Sequence, residues 1–418
     1  MMFKINDCVH GEIFLPKYIQ EVIVTKEFER LRNIKQLGVS YYHFETANHS
    51  RFEHSIGTAY LCMKILDIIE RNSDIKIDEN HKKCVVLAGL LHDLGHGPFS
   101  HLWECVVRKG NHKSWTHEDQ SVLMINHMIK CNNINLHPDP STHNNMVELT
   151  CSLITGDYKT WNRLLKPSEM FLTEVVSNKY CNIDVDKFDY ILRDFNCVQR
   201  QLLPFVDLLD RARIVFDAEN VSHIGYHVDD FHLIENLFIN RANYHMDVYQ
   251  FYKVVGIEKQ FRDACYLADN GGFKLLNYSI TDIQQDCASY CHLNDTLLDL
   301  ICNESDNNHP LMLKAQELIK NLENGKFYEL IYETKDNMEI SSAYDKLVGK
   351  FGDIFCIVKK VIPCASVPDN IPLYDDNGKL VQRISNQKLD YESILIFCKA
   401  FDPTIVQNTC NYLNNNEI

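Results

Sequence analysis

AGLLHDLGHGPFSH, residues 88–101, is the stretch that decides how this chain folds and what chemistry it holds. His92 and Asp93 are adjacent, and an imidazole nitrogen and a carboxylate oxygen both bind hard or borderline cations. On a helix, His96 lies one turn further along the same face as His92. Two glycines and a proline then break the helix before His101. So many metal- and phosphate-binding side chains predict a site rather than a buried histidine with an acidic partner.

Two ligands do not complete a metal site, and the sequence supplies candidates on both sides. Upstream, NHSRFEHSIG (48–57) places His54 at a loop-to-helix junction, with Arg51 suited to a phosphate. Downstream, NIDVDKFDYILRD (182–194) brings Asp186 to a predicted helix start. Each residue alone is more simply explained as a helix cap or a core histidine. Their combination and order predict one site.

This order resembles the HD superfamily of metal-dependent phosphohydrolases, in which a histidine, a His-Asp doublet and a distant aspartate come from separate helices. The closer resemblance is to the deoxynucleoside triphosphate triphosphohydrolases, in the branch whose animal members carry a SAM domain ahead of the HD domain. Seven motifs carry it: NDCVHGEI, FERLRNIKQLG, RFEHSIGTAYL, AGLLHDLGHGPFSH, WTHE, DVDKFDYILRD and NR-x3-H-x3-YQ. They cover about residues 3–265 in family order, and no SAM domain is expected in the sequence.

The resemblance implies a metal-dependent hydrolase that converts deoxynucleoside triphosphates to deoxynucleoside and inorganic triphosphate. A divalent ion would be held by four residues: His54, His92, Asp93 and Asp186. Mixed imidazole and carboxylate ligation suits Fe, Mn, Zn or Ni, with Mg²⁺ a further candidate beside the triphosphate.

The resemblance also assigns the groups that bind and cleave the triphosphate. The triphosphate contacts are Arg51, His96, His117 and Lys187. Protonation of the departing sugar oxygen falls to His101 or His117, because histidine titrates near neutral pH. Glu104 stands where the family pairs an aspartate with the histidine of WTHE.

The sugar contacts are implied in the same way. Gln36 and Asp194 match residues that bind the 3′-hydroxyl, and Tyr190 and Arg241 match further sugar and phosphate contacts. Leu37 and Tyr249 match the pair whose bulk excludes a 2′-hydroxyl, although core packing explains these two equally well.

Several positions depart from the family pattern. Phe251 replaces a histidine that lines the substrate pocket. Of the residues that read a guanine activator, Arg32 is kept, but Val24 replaces an aspartate. The other departures at activator positions are Phe3, Glu29, His227 and Asp229. An acidic residue facing a triphosphate would repel it, so nucleotide-activated tetramer assembly in the family form is not expected.

Composition excludes some classes of protein. With 42 basic and 57 acidic residues the formal charge is −15, which repels nucleic acid at long range. The beginning lacks a signal peptide, and no stretch approaches the ~20 apolar residues that span a bilayer. The 16 cysteines show no paired framework. We therefore expect an intracellular protein of the cytoplasm or nucleus, with no membrane partner and no indicated nucleic-acid partner. The family resemblance further implies a homo-oligomer, a dimer or a tetramer.

The hydrophobic pattern predicts a mainly α fold: an HD-domain helical core over 1–325 and a small α+β lobe over 326–418. Helices are predicted over 54–70, 84–95, 119–130, 145–155, 186–195, 205–215, 232–250 and 311–324. Strands are predicted near 3–5, 212–216 and 222–227, the last two as a hairpin. In the lobe, strands are predicted in FYELIYE, DIFCIVKKVI, KLVQRI and SILIFCKAF, with a loop over 363–377 and a terminal helix from Pro403.

Three functions remain open from the sequence. The first is dNTP hydrolysis. The second is an HD phosphohydrolase or phosphodiesterase acting on another nucleotide, such as an NTP, a cyclic dinucleotide or a nucleic-acid end. The third is a catalytically weak nucleotide-binding scaffold. The presence of every ligand type and of nearly every phosphate contact favours an enzyme.

Overall fold

The computed structural model describes residues 2–110, 112–305, 307–362, 367–383, 385 and 391–415. These residues form a mainly α fold with small sheets, which confirms the predicted fold class. Among them, no helix combines the length and the apolar composition needed to span a bilayer.

The helices of the described residues are α1 (Lys17–Ile23), α2 (Lys26–Glu29), α3 (Arg51–Ser73), α4 (Glu79–Leu91), α5 (His101–Lys109), α6 (His117–Cys131), α7 (Pro140–Thr155), α8 (Tyr158–Leu164), α9 (Val185–Val198), α10 (Phe231–Tyr244), α11 (Tyr252–Asn270), α12 (Cys287–Tyr290), α13 (Leu297–Cys302), α14 (Pro310–Glu323), α15 (Asn337–Phe351) and α16 (Pro403–Asn415). The strands are β1 (Met2–Asp7), β2 (Gly11–Pro16), β3 (Arg213–Phe216), β4 (Ser222–His227), β5 (Glu329–Thr334), β6 (Phe355–Ile362), β7 (Leu373–Tyr374), β8 (Leu380–Val381) and β9 (Tyr391–Cys398).

Helix α3 is the centre of the helical core. It contacts α4, α9, β2 and β3, so its first half is buried on nearly every side. Polar residues in this first half are shielded from solvent and need partners inside the protein. This position explains why His54 is fully buried.

The C-terminal lobe is built on an antiparallel sheet in the order β5-β9-β6. Helices α15 and α16 cover one face, through residues such as Leu347 and Leu413. The other face packs on α11, where Val255 meets Tyr328 and Phe397. The lobe is therefore in apolar contact with the core.

The chain returns from the lobe to the core before its last strand. Strand β7 pairs in parallel with β4, and Leu373 is buried in the main core. The division at residue 326 remains a prediction, and residues 367–381 belong to the core by their contacts.

Some local predictions were wrong. The helix over 205–215 is replaced by a 3-10 turn at Val206–Leu209 and by strand β3. The reason is pairing: β3 and β4 form the hairpin that the sequence also predicted over 212–227.

In the C-terminal part, KLVQRI contributes only the short strand β8, which pairs with β7 outside the lobe sheet, and its residue 384 lies outside the described residues. The loop over 363–377 contains β7, and its residues 363–366 also lie outside them. The helices that were not predicted are α1, α2, α5, α8, α11, α12, α13 and α15, and strand β2 was not predicted either.

Candidate active site

Helix α3 carries the first candidate ligand close to its N-terminus. Ser50 and Glu53 form a capping box, in which the Ser50 N–H donates to Glu53 Oε2 at 2.9 Å. This cap fixes the helix start and places Arg51 and His54 in its first turn, both buried.

The His-Asp doublet lies just past the end of α4. The helix ends at Leu91, four residues before the predicted end, and tight turns follow, with Leu94 N–H donating to Leu91 O and His96 N–H to Asp93 O. The His92 Nδ1–H donates to Gly89 O at 2.8 Å, which leaves Nε2 as the free lone pair.

Helix α9 brings the last candidate ligand. Asp184 caps it by accepting from Lys187 N–H, which puts Asp186 in the first turn. Gly57 lets α9 approach α3 closely: a Cβ at Gly57 would lie 1.9 Å from Asp189 Oδ1 and 2.4 Å from Arg193. The glycine is required for the two helices to meet at this distance.

These three elements bring the four predicted ligands together. His54 Nε2 lies 3.2 Å from His92 Nε2, 3.4 Å from Asp93 Oδ2 and 3.0 Å from Asp186 Oδ1. His92 Nε2 lies 3.4 Å from an oxygen of each aspartate. Ligand atoms around one ion with bonds of about 2.0–2.2 Å are separated by about 3 Å, so the distances from the two histidines suit a divalent ion held by this metal quartet (His54, His92, Asp93, Asp186). The ligand atoms of His54, His92 and Asp93 all lie within 4.8 Å of one another.

A second layer of side chains orients the quartet. The His54 Nδ1–H donates to Asp189 Oδ2 at 2.8 Å, which directs Nε2 at the other ligands. Asp189 is held by Arg193 through contacts of 2.9 and 3.0 Å and by His10 at 2.6 Å. Arg193 in turn contacts Asp7 at 3.0 Å. Asp189 was not predicted to be a site residue, although its spacing to Asp186 and Arg193 puts all three on one helix.

The quartet's carboxyls are held in their charged form. Burial would raise the pKa of Asp93, but the charges of Arg51 and His92 hold it well below its ordinary range. Burial likewise acts to raise the pKa of Asp186, and hydrogen bonds from His54 and His92 lower it well below its ordinary range. Ionised carboxylates are the form that binds a metal.

Three histidines form a stack beside the quartet. The rings of His96 and His117 are parallel with centroids 4.0 Å apart, and His101 lies edge-on to both. The His117 Nδ1–H donates to Glu104 Oε1 at 2.6 Å, and His101 Nδ1 lies 3.3 Å from the same oxygen. Burial and the charge of Arg51 lower the pKa of His96 well below its ordinary value, so this ring is neutral.

The quartet opens into a cleft of about 550 Å³. Eight residues predicted to bind the sugar or the triphosphate line it: Arg51, Gln36, Leu37, Lys187, Tyr190, Asp194, Arg241 and Tyr249. His101 and His117 also line it, as do His92, Asp93 and Asp186. One cavity is thus lined by residues from all three predicted groups: those that bind metal, those that act as acid or base, and those that bind substrate.

The far end of the cleft carries hydrogen-bonding groups. Asp194 accepts from Tyr249 Oη at 2.5 Å and from His49 Nε2 at 2.8 Å. Gln36 Oε1 is buried and, within the described residues, has no hydrogen-bond partner. A buried acceptor without a partner is expected to meet a donor from a ligand.

A family model described as the HD domain matches residues 51–165. The chain therefore contains an HD domain at residues 51–165. It is 33% identical over 332 residues, 79% of its length, to a Dictyostelium discoideum protein named deoxynucleoside triphosphate triphosphohydrolase SAMHD1 homolog. It is also 33% identical over 360 residues, 81% of its length, to the human deoxynucleoside triphosphate triphosphohydrolase SAMHD1. The predicted family resemblance is thereby confirmed.

The chain spans only part of the length of these relatives. The chain covers 60% of the Dictyostelium protein and 56% of the human one. A putative HD domain-containing protein of Acanthamoeba polyphaga mimivirus is 28% identical over 366 residues and is covered to 74%. The matched HD domain contains three of the quartet's ligands, and Asp186 follows it.

Some predicted residues lie outside the cleft of the HD-domain protein. His96 is fully buried behind His117 and does not line the cavity, so it supports the wall. Glu104 likewise acts from behind, through His117. Phe251, expected to change the pocket, stacks on His43 with centroids 4.9 Å apart and does not line the cleft.

Other cleft residues were missed. They are Glu118, Ser177, His245, Gln250 and Glu258, together with Ile154 and Val176. His245 and Gln250 belong to the motif NR-x3-H-x3-YQ, and this motif could have identified both as cleft residues. Nothing in the sequence marked Glu258 as a cleft residue, because a single glutamate on a helix is usually exposed to solvent.

The positions that depart from the family's activator residues are either exposed or paired with nearby side chains. Val24 is 65% exposed, and Arg32 pairs with Glu29 at 2.7 Å. His227 is buried and contacts Asp376 at 3.1 Å, while the Asp229 side chain is 71% exposed. Acidic side chains thus lie against both Arg32 and His227.

Proposed function

We propose that this HD-domain protein is a metal-dependent hydrolase that cleaves deoxynucleoside triphosphates to deoxynucleoside and inorganic triphosphate. The observation that carries the proposal is the placement of the metal quartet at the wall of a 550 Å³ cleft lined by all the predicted substrate contacts except His96. The names of the relatives support the same activity.

The quartet would hold one divalent ion through His54 Nε2, His92 Nε2 and an oxygen each of Asp93 and Asp186. A bound ion supplies Lewis-acid polarisation of a phosphate oxygen and acidifies a water molecule. Two imidazoles and two carboxylates suit Fe, Mn, Zn or Ni, with Mg²⁺ expected beside the triphosphate. Elemental analysis of the purified protein identifies the resident metal.

The cationic side chains of the cleft neutralise the triphosphate. Arg51, Lys187 and Arg241 all face it. Arg51 is anchored by Asp93 at 2.5 Å and by Ser100 at 2.9 Å, so its guanidinium is positioned before substrate binds. Lys187 is similarly anchored by Asp184 at 2.7 Å. Preorganised charges cost little reorganisation when charge develops on the phosphates.

The histidine stack supplies acid/base groups at the scissile bond. Because Glu104 accepts the His117 Nδ1–H, the Nε2 of His117 is free to exchange a proton in the cleft. His101 lines the same wall and is the second candidate to protonate the sugar oxygen as it leaves. Without protonation, that oxygen would leave as a poor alkoxide leaving group.

The sugar end of the cleft favours a deoxyribose. Gln36 and Asp194 offer acceptors for a 3′-hydroxyl, and Asp194 fixes the Tyr249 ring through its hydroxyl. A ring held in place beside Leu37 leaves little freedom to admit a 2′-hydroxyl.

The activity is tested by incubating purified protein with each dNTP, NTP and cyclic dinucleotide, with Mg²⁺ or Mn²⁺, and with and without GTP. We expect inorganic triphosphate from dNTPs. Pyrophosphate or monophosphate products would assign the HD site to another nucleotide reaction, and binding without turnover would make the protein a scaffold.

A pair of matched variants ties the reaction to the quartet. His92→Ala with Asp93→Ala is expected to abolish triphosphate release. His112→Ala with Asp282→Ala removes another His-Asp pair, 2.9 Å apart and outside the cleft, and is expected to leave release unchanged. Activity retained in the first double variant would refute the metal assignment.

We further propose an intracellular homo-oligomer in the cytoplasm or nucleus, as the family resemblance implies. Large apolar side chains exposed on the N-terminal part support self-association: Met2, Phe14 and Val24 are 49%, 51% and 65% exposed. Light scattering coupled to size-exclusion chromatography measures the oligomeric state, and a monomeric mass would contradict this proposal.

A further inference from the structure

A second group of metal-binding side chains lies behind the active site, where α2, α6 and α12 meet. Glu27 on α2, His127 on α6 and Cys291 at the end of α12 each place one ligand atom within 4.8 Å of the others. Glu27 and Cys291 are 4% and 6% exposed, and the His127 side chain is 24% exposed. They come from three separate parts of the chain, so the fold alone assembles them.

The distances within this group suit a metal ion better than direct hydrogen bonds. His127 Nε2 lies 3.6 Å from Glu27 Oε1, which is beyond hydrogen-bond range. Tetrahedral zinc, with bonds of about 2.0–2.3 Å, separates its ligand atoms by roughly 3.3–3.8 Å. The other carboxylate oxygen of Glu27 accepts from Asn132 Nδ2 at 3.1 Å, which orients Oε1 toward His127.

A fourth donor stands on the same helix as His127. Cys131 is one turn further along α6, and its Sγ lies 3.6 Å from His127 Nε2. Its Sγ lies outside the group whose ligand atoms are all within 4.8 Å of one another, so it would join them only after a rotation of its exposed side chain. A set of two sulfurs, one imidazole and one carboxylate matches the preference of Zn²⁺ for mixed S, N and O ligands.

We propose that Glu27, His127, Cys131 and Cys291 form a structural zinc site, separate from the HD metal quartet. A closed four-ligand site has no open position for substrate, so its role is to join helices rather than to catalyse.

Two of the helices at this site, α12 and α6, also reach the active site. Helix α12 also carries Tyr290, whose hydroxyl donates to Gly95 O at 2.8 Å in the turn after the His-Asp doublet. Helix α6 begins at His117 in the active site and ends at Cys131. An ion that joins α2, α6 and α12 would brace this turn and the histidine stack from behind.

Cobalt substitution tests the site in the full-length protein. Co²⁺ bound by a thiolate gives a charge-transfer band in the near ultraviolet, whereas the HD quartet offers imidazoles and carboxylates. We expect the band in the wild-type protein and in the His92→Ala, Asp93→Ala double variant. We expect its loss in Cys291→Ser, and no change in the control Cys302→Ser, a half-buried cysteine on α13.

Zinc content gives the second readout. The wild-type protein is expected to carry about one more zinc equivalent than Cys291→Ser, measured by elemental analysis. If Cys291→Ser does not fold by circular dichroism, His127→Ala decides instead, because it changes a partly exposed side chain. Absence of a thiolate band in the wild-type protein, or its survival in both variants, would overturn the proposal. Activity of the HD site does not enter either readout.

Discussion

At the scale of single residues, Asp189 shows how a side chain that lies behind the metal quartet fixes its geometry. Its carboxylate accepts from His54 Nδ1–H and from Arg193. Asp189→Asn weakens both contacts, so we expect metal affinity to fall about 10–100-fold. Competition with a metal chelator measures it. Glu70→Gln, near the other end of α3, is the control, and equal affinity in Asp189→Asn would contradict the assignment.

His49 provides a pH test at the same scale. Burial would lower its pKa, but the hydrogen bond with Asp194 raises the pKa to about 9. Because this pKa is higher in the folded than in the unfolded protein, protonated His49 adds to the free energy of unfolding. The contribution is complete below pH 6.5 and is lost as the pH rises through 9. The loss amounts to about 3 kcal/mol. Urea unfolding at pH 6 and 9.5 measures it.

In that comparison His49→Gln is expected to flatten the alkaline decline in unfolding free energy. His232→Gln, on an exposed part of α10, is expected to keep the wild-type decline. If His49→Gln showed the same alkaline decline as the wild-type protein, the His49–Asp194 pair would not be the source of this stability.

Individual site residues were predictable where a motif carried them. His54, the His-Asp doublet and Asp186 stood in recognisable strings, and the structure brings both histidine Nε2 atoms within 3.4 Å of an oxygen of each aspartate. Residues that act from behind were harder to find. His10 reaches Asp189 across 179 positions of sequence, a distance that no local pattern encodes.

At the scale of elements, the contact of α3 with α9 depends on Gly57. A Cβ there would lie 1.9 Å from Asp189 Oδ1, so Gly57→Ala must push the helices apart. Overpacking of this kind costs about 1–3 kcal/mol. We expect a lower melting temperature together with weaker metal binding, measured by calorimetry and chelator competition.

Gly349→Ala is the matched control for Gly57→Ala. Gly349 also lies inside a helix, α15, but a Cβ there meets nothing within 4 Å. Alanine is the better helix former by about 1 kcal/mol, so this variant is expected to stabilise the protein. If both substitutions changed stability alike, helix propensity rather than close approach would explain the result.

Several helices with apolar periodicity were predicted, as were the strands of the β3–β4 hairpin and of the lobe sheet, whereas one short periodic segment was assigned the wrong element. The helix predicted over 54–70 corresponds to α3, and the one over 311–324 to α14. Residues 205–215 also have apolar periodicity, yet pairing with β4 makes part of them a strand. Tertiary contacts decide such short segments.

At the scale of the whole molecule, the charge is distributed unevenly with respect to the cleft. The chain carries a formal charge of −15, while Arg51, Lys187 and Arg241 face one cavity. The surrounding field disfavours long polyanions such as nucleic acids. A compact triphosphate needs only the local cations and the metal, so this distribution is consistent with a mononucleotide substrate.

Contact between the lobe and the core determines how the molecule unfolds. The sheet packs on α11 at Gly256, where a Cβ would lie 2.7 Å from Tyr328 O and 3.0 Å from the Phe397 ring. Gln250 also donates to Val361 O at 2.6 Å, which ties the lobe to the residues after Tyr249. Because this contact is apolar and continuous, we expect the wild-type protein to unfold in one thermal transition.

Gly256→Val is the change that separates the two parts. The added side chain displaces the sheet, so calorimetry is expected to show an earlier transition for the lobe, at a lower temperature than the core. The metal quartet lies on α3, α9 and the turn after α4, so its chelator affinity should stay near the wild-type value. Gly349→Val, in the open part of α15, controls for the cost of a branched residue. One transition at the wild-type temperature in Gly256→Val would mean that lobe and core do not depend on this contact.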